Sequence, residues 1–246
     1  MCGRYELHAQ PAAIALAFGL AAPPSFAPRY NIAPMQEVPI VRVNAQGVRE
    51  LALVRWGLVP RWAKDPSIGS RMINARGETL RDKPAFRTAY RRHRCLLPAT
   101  GFYEWMPGAP GKQPVRIAMK DGAPFALAGL AERWLGPDGE PLDSCTIVTT
   151  DANDLLKPVH DRMPVIVGPA AYARWLDPAV ADPAELIASY PSDAMLWTRV
   201  STRVNSVRHD DASLIEPIHE VVESTRAAPA VEAPAEPGPP KQSALF

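Results

Sequence analysis

Apolar residues recur along the chain in short runs, most of them with a period near two. Residues 38–43 and 50–56 read as strands, and Asn44-Ala45-Gln46-Gly47 between them supplies turn chemistry, so a hairpin is expected there. Further strands are expected at 95–97, 114–119, 125–131, 146–150 and 165–167, with Lys120-Asp121-Gly122 turning the second into the third. Four stretches carry helical signals. Residues 11–20 open on a proline, which suits a first helical turn. Residues 84–92 place Phe86 and Tyr90 four apart on an inward face and leave Arg87, Arg91 and Arg92 outside. Residues 169–176 and 183–189 complete the set, the last with Asp182 as its cap and Glu185 closing a capping box. Residues 60–70 read as a loop. Strands that follow one another with few helices between them predict an α+β fold: a largely antiparallel, curved or barrel-like β core with peripheral helices.

Composition narrows the class. At 246 residues, 47% hydrophobic and 22% charged, the chain has the makeup of an ordinary globular protein with one substantial core. No apolar run reaches membrane-spanning length, and the first apolar stretch lacks the basic lead of a signal segment. Three cysteines without close spacing suit a reducing interior, so a cytoplasmic, nucleoid-associated location is expected. Cys95 and Cys145 sit in apolar runs and read as buried strand residues. No Cys-x-x-Cys spacing suggests zinc, and no metal or cofactor is implied. The net charge of +1 hides an asymmetry: residues 55–94 hold eleven Lys/Arg against three Asp/Glu, whereas 216–246 hold two against five. The basic stretch also contains Trp56, Trp62, Phe86 and Tyr90. Cations that pair phosphates, interleaved with rings that stack bases, suit single-stranded nucleic acid; for Phe86 and Tyr90 the core-facing reading is preferred.

The terminus carries the candidate chemistry. The chain opens Met1-Cys2-Gly3-Arg4-Tyr5. A residue as small as cysteine permits removal of the methionine before it, which would leave Cys2 with a thiol and a free α-amine on adjacent carbons. An amine titrating near ~7.7–8.0 and a thiol near ~8.5 are both partly nucleophilic at neutral pH. Such a pair condenses with an aldehyde to an imine and then closes to a thiazolidine ring.

Seven segments, in order, carry a resemblance. They are Cys2-Gly3-Arg4-Tyr5; Arg29-Tyr30-Asn31-Ile32-Ala33-Pro34; Arg55-Trp56-Gly57-Leu58-Val59-Pro60; Ile73-Asn74-Ala75-Arg76-Gly77-Glu78-Thr79; Gly101-Phe102-Tyr103-Glu104-Trp105; His160-Asp161-Arg162-Met163-Pro164; and Val200-Ser201-Thr202-Arg203-Val204-Asn205. Together they resemble the SRAP proteins (SOS response-associated peptidase), which attach covalently to abasic sites in single-stranded DNA. The resemblance spans nearly all of residues 2–218. It implies that Cys2 supplies both nucleophiles and that Glu104 lies beside it and shuttles a proton at the amine. It implies that His160 assists sugar ring-opening and imine formation, and that Asn74 holds the sugar or the α-amine through neutral hydrogen bonds. Acid–base work of this kind suits a carboxyl and an imidazole near neutral pH. Read alone, Glu104 could be a strand-end carboxylate, His160 a capping or core histidine, and Asn74 a turn residue.

The resemblance makes Arg4, Arg76 and Arg162 candidate phosphate clamps, Arg162 with the alternative of an ion pair to Asp161. Trp62 and the Pro34-Met35 tip are a candidate platform or wedge that unstacks bases beside the lesion. Met35 stands where the family often has glycine, and Ala63 where a second aromatic follows Trp62. Residues 1–224 are read as one domain and 225–240, rich in Ala, Pro and Glu, as a disordered linker. Residues 241–246 are read as a sliding-clamp-binding peptide carried by Gln242, Leu245 and Phe246. The expected partner is single-stranded DNA with abasic sites, and the expected state a monomer. Two other readings stay open: an N-terminal-cysteine peptidase or amidohydrolase, and a non-covalent single-strand-binding module.

Overall fold

One long strand organises the fold, because it changes partners on both of its edges half-way along. In the computed structural model, which describes residues 2–108 and 111–218, the elements run β1 (Tyr5–Leu7), α1 (Pro11–Phe18), β2 (Arg29–Ile32), β3 (Glu37–Val43), β4 (Arg49–Trp56), β5 (Asn74–Arg76), α2 (Arg87–Arg92), β6 (Arg94–Ala99), β7 (Gly101–Gly108), β8 (Gly111–Met119), β9 (Phe125–Leu135), β10 (Pro141–Asp151), β11 (Arg162–Pro164), β12 (Ile166–Val167), α3 (Tyr172–Leu176) and β13 (Met195–Arg199). The first part of β10 pairs with β9 on one edge and with β4 on the other. Beyond Ile147 it pairs with β11 and with β5 instead. Since β4, β3, β6 and β9 pair in succession, the β9–β10 contact closes a five-stranded barrel. The barrel is plugged by apolar side chains, which is why the first six residues of β9 are buried without alternation.

A second sheet, in the order β13-β8-β7-β1-β2, is antiparallel throughout. Its β1 lies between β7 and β2, where Tyr5 packs edge-on against Trp56 of the barrel, ring centroids 5.4 Å apart. The expected antiparallel, barrel-like core with peripheral helices is therefore the observed architecture. The parallel pairs β10–β4 and β10–β5 are the exceptions to antiparallel pairing.

Several local expectations need correction. Residues 183–189 form no α-helix; only a 3-10 turn, Ala184–Leu186, is present, and no side chain caps it. Asp182 instead accepts the Tyr90 hydroxyl at 2.6 Å and pairs with Arg81, while Glu185 pairs with Arg174. Tertiary partners have taken both side chains of the expected capping box. Residues 169–176 split into a 3-10 turn and the short α3, and the helix expected from 84 begins only at Arg87. Phe86 and Tyr90 do face the core, and Cys95 and Cys145 are buried strand residues. Among the described residues no helix is long and apolar enough to cross a membrane.

The β4 exit is shaped by a backbone crossing. Gly57 has φ 139°, and a Cβ on Gly69 would lie 2.6 Å from the Gly57 carbonyl oxygen. Met35 sits against the same crossing with φ 70°, in the left-handed region where a side chain is strained. The expected outcome for Gly69→Ala is destabilisation by about 1–3 kcal/mol, because the clash is with backbone that cannot yield. A urea midpoint equal to that of the unmodified protein would contradict the crossing.

Candidate active site

The site begins with a buried charge. Glu6, in the middle of β1, is fully buried. Its carboxylate accepts from the Tyr103 hydroxyl at 2.6 Å and from Arg116 at 2.8 and 2.7 Å, and His8 lies 3.4 Å away. Burial works against its ionisation, but His8, Arg116 and Tyr103 outweigh this and hold it below the usual carboxylate range. Tyr103 lies on β7 and Arg116 on β8, so the charge ties β1 to two strands at once. Gly101 on β7 permits the approach: a Cβ there would sit 2.5 Å from the Glu6 carboxylate.

Pinned in this way, β1 carries the terminus across the sheet. Tyr5 pairs with Phe102, and the Tyr103 N–H donates to the Arg4 carbonyl at 2.9 Å. The register continued outward sets Gly3 opposite Glu104. Cys2 is fully buried there, and Glu104 is 4% exposed. Burial raises the Cys2 thiol far above its ordinary value, and Glu104 adds to the shift. Burial raises Glu104 as well, opposed by the positive charge of the chain's amino terminus and of His160. Two proton-holding groups thus share one buried space.

Asn74 arrives from the barrel side. As the first residue of β5 it pairs with Ile147, at the point where β10 changes partners. Its Nδ2 donates to the Cys2 carbonyl at 2.8 Å, and its Oδ1 is buried without a hydrogen-bond partner among the described residues. The amide therefore grips the terminus with one end and presents an unused acceptor with the other. His160 follows a turn in which its N–H donates to the Leu156 carbonyl. Its Nδ1 lies 3.0 Å from the Arg162 N–H and 2.7 Å from the Asp161 carboxylate. These two contacts exclude each other: a neutral ring accepts from Arg162 at Nδ1 and carries its proton on Nε2, whereas a protonated ring donates to Asp161.

The motif segments converge around this centre. Arg4 donates through Nη1 to the Asn31 side chain and to the Val204 carbonyl, each at 2.7 Å, and lies over the Trp105 ring. Trp105 Nε1 donates to Asn205 at 2.7 Å. Asn31, fully buried, donates to the Val204, Ser206 and His209 carbonyls. Asp210 accepts from the Tyr30 and Asn31 backbones and pairs with Arg29. Glu6, Asn31, Tyr103 and Asp210 are organisers that sequence reasoning did not single out. Asn31 and Tyr103 lay inside quoted motifs, but nothing in spacing alone separates an organiser from a reactive group.

The nucleic-acid candidates fare unevenly. Arg76 is exposed on β5, beside Thr149 of β10. Arg162 on β11 is engaged by Glu78 at 2.7 Å, Asp151 at 2.6 Å and the Thr149 carbonyl at 2.9 Å. The sequence alternative of an Arg162–Asp161 pair is not what forms, since Asp161 meets His160. Trp62 and Met35 are exposed apolar side chains and Pro34 is half-buried. The basic stretch 55–94 is not one face: Arg94 is buried, Arg61 pairs with Glu132, and Arg81 with Asp182. Gln242, Leu245 and Phe246 lie outside the described residues.

The sequence model of the SOS response associated peptidase (SRAP) family matches residues 1–207. The chain belongs to the SRAP family. One SRAP relative, the abasic site processing protein YoqW of Bacillus subtilis (strain 168), is 42% identical over 223 residues, covering 88% of this chain and 99% of its own. The abasic site processing protein HMCES of Gallus gallus is 33% identical, covering 78% of this chain and 67% of its own. A crystal structure of a protein from Bacteroides thetaiotaomicron superposes with a TM-score of 0.80 at 25% identity, covering 89% of this chain and 100% of that one. The SRAP match reaches from the terminal cysteine through Asn205, so every converging motif lies within it.

The Glu6 anchor gives a signed pH prediction. Stability contributed by a lowered carboxylate is complete above the ordinary carboxylate value, ~4.3, and is lost as pH falls through the folded value. Arg116→Ala leaves the charge buried without its cation, at a cost of about 3–5 kcal/mol near neutrality. With Arg116 gone, His8 and Tyr103 alone oppose burial, so Glu6 moves upward and the variant has less stability to lose as pH falls. Urea midpoints should show the gap between the two proteins narrowing from pH 7 to pH 4; a constant gap would contradict the anchor.

Proposed function

We propose that this SRAP protein processes abasic sites in single-stranded DNA by forming a thiazolidine crosslink through Cys2, once Met1 has been removed. The linkage would shield the lesion from strand cleavage, and slow self-reversal through the imine would release it. The observation that carries the reading is the meeting of Cys2, Glu104 and Asn74 in one buried space, with the Asn74 Oδ1 acceptor unused. The relatives' naming as abasic site processing proteins supports the choice of lesion.

The step balances as follows. The deoxyribose hemiacetal opens to its aldehyde as one proton leaves the anomeric hydroxyl and another reaches the ring oxygen, with His160 handling this exchange. The Cys2 amine adds to the aldehyde carbon, giving a carbinolamine. Glu104, whose hold on a proton burial strengthens, donates to the carbinolamine hydroxyl, which departs as water and leaves an iminium ion whose nitrogen keeps its hydrogen. The carboxylate so formed accepts the thiol proton as sulfur bonds to the same carbon, and the C=N electron pair returns to the ring nitrogen, which keeps the hydrogen it carried. One water is released overall. The raised thiol explains the order: the amine attacks first, and sulfur follows only when a carboxylate stands ready. Asn74 Oδ1 accepts from the amine or a sugar hydroxyl without adding charge. Arg76 and Arg4 are the preferred phosphate contacts. Arg162 would join them only by leaving Glu78 and Asp151, and Trp62 with the Pro34-Met35 tip would cover the neighbouring bases.

The peptidase reading, confined to release of Met1, is less suited to the same thiol, because a peptidase needs a thiolate and burial suppresses it. The test is a denaturing gel with an oligonucleotide bearing one abasic site. Cys2→Ala should give no covalent band. Glu104→Gln should slow band formation by about 10²-fold or more while non-covalent binding persists, and should lose the alkaline-side fall in rate assigned to loss of the Glu104 proton. A full-strength band from Cys2→Ala would overturn the reading.

Docking of the last residues on a sliding clamp is part of the same proposal. Deleting 242–246 should abolish clamp binding and leave crosslinking unchanged, and equal clamp affinity with and without the tail would refute it.

A further inference from the structure

A concentration of arginines lies away from Cys2. Five of them border a cavity of about 420 Å³ at the other end of β10, where the closed barrel opens to solvent. Asp143, near the start of β10, marks its rim, whereas Asn74 meets β10 at Ile147 and Arg76 at Thr149. Barrel mouths are frequent places for small-ligand sites, and this volume falls in the usual range for them.

Its charges do not cancel. Arg42, Arg61, Arg92, Arg94 and Arg133 face three carboxylates, those of Glu50, Glu132 and Asp143. Asp143 is shared: Arg133 holds it through two bonds of 2.6 and 2.7 Å, and Arg42 approaches it at 3.7 Å while also bonding Glu50. Glu132, nearly buried, bonds Arg61 at 2.7 Å with His93 3.7 Å away. Arg94 is 4% exposed, and its donors are met by the Tyr90, Trp175, Asp177 and Val180 carbonyls rather than by a carboxylate. Arg92 stands exposed in the last turn of α2. Burial holds His93 below its ordinary value; Glu132 opposes this, and Arg61 and Arg92 add to it. The ring is therefore an uncharged hydrogen-bonding group at neutral pH rather than a further cation. Val54, Leu176 and Pro178 supply an apolar wall beside the cations.

We infer that this barrel mouth is a second ligand site, built for a small phosphate monoester whose anionic head meets the exposed Arg92 together with the rim guanidiniums of Arg61 and Arg133, and whose organic body rests on the apolar wall. Bidentate guanidinium–phosphate pairing supplies the head group's specificity. A free phosphate ion or a stretch of polymer backbone presents the same head group. The apolar wall favours an ester over the ion, and the concave shape favours a small molecule over a strand. The site stands independently of the covalent chemistry at Cys2.

The test is calorimetric titration of the full chain at constant ionic strength with a nucleoside 5′-monophosphate, with inorganic phosphate, and with an undamaged oligonucleotide. The monophosphate should bind saturably and at least tenfold more tightly than inorganic phosphate. Arg92→Glu should weaken it tenfold or more and Arg92→Gln by less, while Arg76→Glu should leave it within twofold. Both Arg92 variants should still crosslink abasic DNA. The inference is overturned by absence of saturable binding, by equal affinity for inorganic phosphate, or by displacement with undamaged oligonucleotide. Sensitivity to Arg76→Glu without sensitivity to Arg92→Glu would likewise overturn it, placing the ligand on the nucleic-acid face.

Discussion

The ion pair between Glu6 and Arg116, completed by the Tyr103 hydroxyl, governs where the first residues of this chain lie. A three-residue strand has too few ladder bonds to hold its own position, and a chain terminus ordinarily frays. A fully buried carboxylate changes that balance, because sliding β1 by one residue would turn Glu6 away from its cation and put an unpaired charge in the core. The cost of that slip fixes the register, and the register sets Cys2 and Gly3 beside Glu104. The geometry around Cys2 is thus secured by a charge four residues further along.

The barrel contributes the other half of the site by a similar economy. Because β10 exchanges β9 for β11 and β4 for β5 near Ile147, the closed barrel ends there and a three-residue strand carrying Asn74 and Arg76 fills the gap. Asn74 then bonds the Cys2 carbonyl, so the two sheets are joined at Cys2 itself. Burial on both sides explains why Cys2 and Glu104 shift in the same direction. Burial disfavours the charged form of each, because water cannot stabilise the charge there.

The apolar strands of the barrel were legible from pattern: the hairpin of β3 and β4, and the cores of β6, β8, β9 and β10, lie where alternation or continuous apolar runs place them. The strands β1, β2, β5, β7, β11 and β13 were not. They are short or rich in polar residues, and tertiary partners rather than periodicity make them strands. Asp182 and Glu185 show the converse: their spacing matches a capping box, yet Tyr90, Arg81 and Arg174 offer stronger partners. Cys2, Asn74, Glu104 and His160 were singled out through ordered motifs, and the structure brings Cys2 against Asn74. The roles of Glu6, Asn31 and Asp210 were not, because a buried organiser and a surface polar residue look alike until contacts between distant segments are known.

The central claim is that the pinned terminus is a 1,2-aminothiol that closes on a sugar aldehyde. Intact-mass analysis of protein incubated with an oligonucleotide carrying one abasic site tests it most directly. The account predicts a species equal to the chain without Met1 plus the oligonucleotide minus one water, formed without a reducing agent and unchanged in mass on borohydride treatment, since a thiazolidine has no C=N bond left to reduce. An adduct that retains Met1, or one that survives only when borohydride traps an imine, would contradict it.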